Sequence, residues 1–282
     1  MIKIVTDSTH YLPPDLMAQY DIRVAPIQLF FRNEVFQEGV DMDPETFWAR
    51  LAVSAVFPTT AQPRQQAFWD TWRSLLDDGH EIVTLLLSGK ISGAVDTARS
   101  LLSQLPGAPI SLIDSRSTAM GLGFQVLRAA ELAEQGGSRA DIVSAVDQMQ
   151  IGIQILLVPD SLENLRRGGR INSAKAWAGT LLNIKPLLSF SKGFIEPIEQ
   201  IRTTKRAQAR MLELTRTFLD DDLHPWIAVM HSRSPEQGQA LLAELRGHYP
   251  GARFFFSEIG PTLGVHLGIG GTGIIVCRSD VL

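Results

Sequence analysis

Short apolar runs alternate with amphipathic stretches through the first half of the chain. Residues 2–5 form a strand-like run closed by Asp7 and Ser8, and residues 23–31 form a second. Asp43-Pro44-Glu45 supplies a cap, a first-turn proline and a first-turn acid, which predict a helix through Phe47, Trp48 and Leu51. Pro63 opens another, with Phe68, Trp72 and Leu75 on one face and Gly79 as its stop. Residues 81–87 read as a buried strand broken at Ser88-Gly89, followed by a helix carrying Val95, Ala98, Leu101 and Leu102. A strand over 110–113, ended by Asp114-Ser115, leads into a long helix to about Gly136. Strands alternating with helices at this spacing predict βαβ units and a parallel sheet.

The pattern changes near residue 150. Residues 151–158 predict a strand, 161–167 a helix, and Gly168-Gly169-Arg170 a break. Ser191-Lys192-Gly193 between two β-like runs, 186–190 and 194–201, predicts a hairpin and therefore a mixed sheet. Ser234-Pro235-Glu236-Gln237 has the form of a capping box between a strand at 226–230 and a helix through Leu245. Strands at 254–256 and 273–277 follow. The expected division is a parallel-sheet α/β domain over 1–150 and a mixed-sheet α/β domain over 151–282.

Composition narrows the classes. With 45% apolar and 20% charged residues the chain is globular, and a net charge of -4 argues against a nucleic-acid binder, which carries a basic stripe. The one cysteine, Cys277, excludes an internal disulfide framework and fits a reducing compartment. The six histidines show no metal-ligand spacing, so no metal is expected. The N-terminus lacks a signal-peptide pattern, and no apolar run approaches the roughly 20 residues of a membrane span. A cytoplasmic protein without stable membrane insertion is expected.

Three motifs fail on context or spacing. Gly268-Ile269-Gly270-Gly271-Thr272-Gly273 matches G-x-G-x-x-G, but a dinucleotide site needs a helix after the glycines, and these residues run into a strand. Gly89-Lys90-Ile91-Ser92-Gly93 has G-x-x-S-G spacing where a nucleophile elbow needs G-x-S-x-G. No Walker A sequence is present, so the chain has no P-loop for ATP. Polar residues at segment ends remain. Ser92 and Gly93 stand where a strand gives way to a helix, whose free amides suit an anion; a plain N-cap is the competing reading. Thr60, before Ala61-Gln62-Pro63, reads the same way, with turn or capping chemistry as its alternative. Arg170 follows two glycines and has the geometry to grip a carboxylate, against the default of a surface arginine. His266, in Gly264-Val265-His266-Leu267-Gly268, is either structural or functional.

In order, these segments resemble the DegV family. The resemblance is carried by Ile4-Val5-Thr6-Asp7-Ser8, Thr60-Ala61-Gln62-Pro63, Leu87-Ser88-Gly89-Lys90-Ile91-Ser92-Gly93 and Asp114-Ser115 leading to Met120-Gly121-Leu122-Gly123. In the second half it rests on Leu165-Arg166-Arg167-Gly168-Gly169-Arg170-Ile171, Ile184-Lys185-Pro186-Leu187-Leu188 and Ile259-Gly260-Pro261-Thr262-Leu263-Gly264-Val265-His266. Departures are Ala61, where a serine is usual, and Ala94-Val95, where Thr-Tyr is usual; the glycine-rich end at 268–273 also differs from the commoner Gly-Pro-Gly form.

The resemblance implies a three-layer α/β/α domain with a parallel sheet and a smaller α/β domain with a mixed sheet. It implies a carrier, not an enzyme, that buries one long-chain fatty acid in a tunnel between the two and uses no cofactor. Thr60 and Ser92, with Gly93, match the positions that hold the ligand carboxylate, and Arg170 and His266 match nearby basic groups. It further implies a partner, a separate fatty acid kinase that phosphorylates the presented carboxylate. Two readings compete: an acyl ester or thioester hydrolase using Ser92 as nucleophile and His266 as base, and a kinase-like subunit acting on a small polyol, which the missing nucleotide motif opposes.

Overall fold

The computed structural model describes residues 1–171, 174, 177 and 184–282. Along the chain come β1 (Ile2–Asp7), α1 (Pro14–Gln19), β2 (Arg23–Ala25), β3 (Gln28–Phe31), β4 (Glu34–Gln37), α2 (Pro44–Val53) and β5 (Thr59–Ala61). Then follow α3 (Gln65–Asp77), β6 (Glu81–Leu86), α4 (Ala94–Leu102), β7 (Ile110–Asp114), α5 (Ala119–Glu134), α6 (Arg139–Met149), β8 (Ile153–Val158) and α7 (Glu163–Arg167). The remainder adds β9 (Lys185–Ser191), β10 (Phe194–Ile201), α8 (Thr204–Leu219), β11 (Trp226–His231), α9 (Pro235–His248), β12 (Arg253–Glu258), α10 (Pro261–Leu267) and β13 (Thr272–Cys277).

The first sheet has the order β2-β1-β6-β7 and is parallel throughout. Helices α3 and α4 cover one face, and α5 and α6 the other. This is the three-layer arrangement the alternating pattern predicts, because a parallel sheet must be covered on both faces. A second sheet has the order β10-β9-β8-β13-β11-β12, antiparallel except between β11 and β12. Its two faces divide cleanly. Ile155, Phe190, Ala228 and Ile275 join the core shared with α5, whereas Leu156, Leu187, Val229 and Ile274 pack under α8 and α9. Helix α5 therefore lies between the two sheets. Met120, Leu122, Phe124, Val126 and Leu127 are all fully buried, which is what a helix without a solvent face requires.

Several local expectations hold with identifiable causes. Asp43 caps α2 by accepting from Thr46 N at 2.7 Å. Lys192 and Gly193 both take positive φ (52° and 91°), the type I′ turn that matches the twist of β9 and β10. The structure also corrects the pattern reading. Residues 23–31 are two strands, not one. Pro26 separates β2 from β3, and β3 joins β4 and β5 in a third, antiparallel sheet of order β4-β3-β5. Helix α3 starts at Gln65, beyond Pro63. The capping box at Ser234 does not form, because its hydroxyl turns to donate to Ser232 O at 3.3 Å. The sequence pattern marks no helix at α1, α6, α8 or α10.

The third sheet packs Leu29 and Phe31 against Phe47 and Trp48 of α2 and Val265 of α10. A Cβ at Gly264 would meet Phe47 Cε1 at 2.6 Å, so glycine lets α10 lie directly on α2. Among the described residues, no helix is long and apolar enough to cross a membrane, and no His, Cys, Asp or Glu group could hold a metal.

Candidate functional site

Thr60, Ser92, Gly93, Arg170 and His266 come from four separate segments, and the structure sets all five around one cavity of about 110 Å³. Thr60 lies on β5, paired with Leu29 of β3, and so belongs to a sheet edge and not to a turn or cap. Ser92 lies in the turn between β6 and α4. Gly93, not Ser92, occupies the capping position of α4, and Ser92 Oγ accepts from Ala94 N at 3.2 Å. The cavity thus borders the positive end of α4.

The turn bearing Ser92 is held from two sides. The buried Ser88 hydroxyl donates to Gly193 O at 2.7 Å, and Lys90 Nζ sits 5.0 Å above the Phe194 ring, so the β9–β10 hairpin clasps it. From the other side Arg170 Nε donates to Ile91 O at 3.2 Å.

Arg170 owes its position to the end of α7. Gly169 N donates to Arg166 O at 3.2 Å and Arg170 N to Leu165 O at 3.0 Å, with Gly169 in the left-handed region at φ 70°: a Schellman motif. The Arg170 guanidinium then folds back so that Nη1 donates to Gly168 O at 2.7 Å. Partial burial lowers its pKa from the usual arginine value.

His266 occupies the last turn of α10, with Nε2 and Thr60 Oγ1 sharing a hydrogen bond of 3.0 Å. Its Nδ1 is buried without a hydrogen-bond partner. Burial first, and the Arg170 charge second, lower the ring pKa from 6.5 to about 4, so the imidazole is neutral at physiological pH. The glycine before the Schellman turn serves this ring. A Cβ at Gly168 would fall on His266 Nδ1, so the backbone at the end of α7 is pressed against the imidazole carried by α10.

Sequence reasoning missed Glu38. This carboxylate, 5% exposed, accepts from Ser8 Oγ and Thr262 Oγ1 at 2.6 Å each, and from Thr262 N and Tyr11 OH at 3.1 Å each. Burial raises its pKa against the pull of these bonds. Because Thr262 N lies in the first turn of α10, Glu38 anchors the helix that presents His266. Asp7 plays a similar part nearby, joining the ends of β1 and β6 by accepting from Leu87 N at 2.7 Å.

A second cavity, of about 80 Å³, is apolar, and Leu165, Ile155, Phe190, Met230 and Ile275 are among its walls. Ile91, Arg170, Leu263 and His266 line both cavities, so the two adjoin. The segment at 268–273 also contributes here, through Gly271 and Gly273. It follows α10 and enters β13, the reverse of the strand-then-helix order of a dinucleotide site.

Two sheets around a shared helix, with a cavity lined by polar groups beside an apolar one, define a mixed α/β protein with a candidate small-molecule site. The chain belongs to the DegV family: the family described as "Uncharacterised protein, DegV family" matches residues 1–279. Protein DegV of Bacillus subtilis (strain 168) is 34% identical over 277 residues, covering 98% of this chain and 99% of that one. The structure of a DegV family protein from Thermus thermophilus, described for its fatty acid binding, superposes with a TM-score of 0.92 at 30% identity, covering 98% of this chain and 99% of that one. The structure of DegV from Bacillus subtilis, described as a fatty acid binding protein, gives a TM-score of 0.90 at 33% identity over 99% of both chains.

Proposed function

We propose that this protein is a carrier that buries one long-chain fatty acid, with the carboxylate in the polar cavity and the hydrocarbon tail in the apolar one. The observation that carries the reading is that the two cavities adjoin, sharing Ile91, Arg170, Leu263 and His266 as walls. A buried carboxylate needs partners for its lone pairs. The hydroxyls of Thr60 and Ser92, the amides at the start of α4 and the guanidinium of Arg170 supply them. The tail contributes about 0.8 kcal/mol per buried methylene before the costs of ordering. The fatty acid binding described for the Thermus and Bacillus proteins supports the assignment.

A cavity of about 80 Å³ has room for roughly six water-sized groups. A long acyl chain has more carbons than that, so entry parts the walls. Met230 and the leucines around it are flexible enough to yield.

The carrier presents its carboxylate to a separate fatty acid kinase, since this chain has no phosphate-binding loop of its own. Arg170, half-buried where the two cavities meet, is the group placed to act in that transfer. Hydrolysis by Ser92 would need His266 as its base. Instead His266 Nε2 bonds Thr60, and Nδ1 has no orienting partner.

The test is native mass spectrometry of the purified protein, repeated after organic extraction. One fatty acid per chain, diminished in Ser92→Ala, supports the carrier. A protein that is empty and takes up neither oleate nor palmitate overturns it. In a coupled assay with the kinase and ATP, Arg170→Ala should lose more acyl phosphate formation than binding; unchanged transfer refutes that role.

A further inference from the structure

The glycine-rich segment before β13 is left unused by the carboxylate site, and cross-strand register shows what it does. On the face of the mixed sheet turned toward α5, Ile195, Phe190, Ile155 and Ile275 stand in one row. The next row, about 7 Å along the strands, places Leu188, Leu157, Gly273 and Met230 side by side. Every neighbour in this second row projects an apolar side chain except Gly273. The gap falls in β13, at the middle of the sheet, and Gly273 lines the apolar cavity. No backbone strain demands glycine there, since Gly273 is absent from the positive-φ positions that Gly268 and Gly270 occupy. A Cβ would meet the Leu156 carbonyl O at 3.2 Å, a tight contact, with Leu157 Cβ at 3.8 Å and Ile275 Cδ1 at 4.0 Å as its next nearest neighbours. Glycine at this position relieves the approach to the Leu156 carbonyl and leaves the cavity wall without a side chain.

The first row closes the cavity. Ile155 lies against the first turn of α5, where a Cβ on Gly121 would come within 2.7 Å of Ile155 Cδ1. Beyond the wall is a separate, wider groove of about 890 Å³, in which Ile155 and Phe190 are joined by Gln125, Gln150, Gln154 and Arg116. Ile155 and Phe190 therefore divide an apolar space from one of mixed polar and apolar lining. A tail long enough to pass them would meet amides and charge among the apolar side chains.

We infer that the mixed sheet selects acyl-chain length, with the gap at Gly273 admitting the tail and the Ile155–Phe190 row ending its path. This rests on the fatty-acid-carrier reading and adds to it the residues that choose among fatty acids. Affinity should rise with chain length while methylenes are being buried, then stop rising at the wall. Each methylene excluded by an added side chain should weaken binding about fourfold.

The test is a titration series with octanoate, laurate, palmitate and stearate on the full-length protein and three variants. Gly273→Val should weaken palmitate by about tenfold or more while octanoate changes least. Gly273→Ala, which adds a single carbon, should show the same trend at about fourfold. Ile155→Ala should move the preference toward stearate. The proposal is overturned if wild type binds fatty acids but Gly273→Ala and Ile155→Ala keep its length profile, whatever the folding of Gly273→Val. If the folded wild-type protein binds none of the four, the carrier reading itself fails and length selection fails with it.

Discussion

Thr60 and His266 are separated by 206 residues, yet the threonine hydroxyl and the imidazole Nε2 lie 3.0 Å apart. The bond joins the edge of the three-stranded sheet to the last turn of α10. It forms beside a cavity that Ser92 and Arg170 also line, so two hydroxyls and two basic side chains surround a single space.

The two hydroxyls should each matter to ligand affinity. Thr60→Ala and Ser92→Ala each remove one hydrogen bond to a charged group, a loss of roughly 1.5–3 kcal/mol. Titration calorimetry with palmitate should therefore show affinities weaker by about one to two powers of ten. Unchanged affinity in both variants would move the carboxylate elsewhere.

Acid should destabilise the ligand-free protein partly through His266. Its pKa falls from 6.5 in the free residue to about 4 in the fold, so the unfolded chain takes up this proton first as pH drops. The contribution is full above pH 6.5 and is lost on the way down to about pH 4, an effect on the order of 3 kcal/mol. His10, lowered to about 4 by burial, acts in the same direction. The raised pKa values of Asp7 and Glu38 oppose both. Comparing melts of wild type and His266→Gln across this range isolates the one residue, and parallel curves would refute its part.

Gly168→Ala should injure the site through the ring of His266. The new Cβ falls on His266 Nδ1, while the backbone at Gly168, with φ -74°, accepts any residue. The ring must shift and the Thr60 contact must lengthen, with an expected stability loss of about 1–3 kcal/mol. Imidazole NMR shifts and a denaturant midpoint would read both effects together.

Glu38→Gln should be costly despite its near-identical shape. Four donors point at the carboxylate, and an amide offers one oxygen to them while turning its own N–H groups toward the rest. A loss of about 2–5 kcal/mol is expected in urea unfolding, together with weaker fatty acid binding as α10 loosens. A variant with wild-type stability would show that the clasp is dispensable.

What could be read from the sequence follows the range of the forces involved. β11 and β13 are buried on both faces and announce themselves as unbroken apolar runs, and Asp43 and the Lys192-Gly193 turn act within a few residues. Helix α10 was hidden because Gly264 and Gly268 argue against a helix, and only packing on Phe47 and Trp48 explains the first of them. The strands β4 and β5 are four and three residues long, too short to show a period. The candidate site was reachable because its loops carry the family's motifs. Glu38 was not, since its partners stand 30 residues before it and 224 after it, and nothing local marks a buried carboxylate.

The central place of β13 has a consequence for how the protein is made. This strand is translated after every other strand of the sheets, yet it sits between β8 and β11. Until it emerges from the ribosome, β8 and β11 have no common neighbour, and their apolar faces wait unpaired. A nascent chain at that stage is exposed to mispairing and to capture by chaperones. A frameshift or stop codon a few residues before Thr272 would not trim an edge; it would leave the sheet in two pieces.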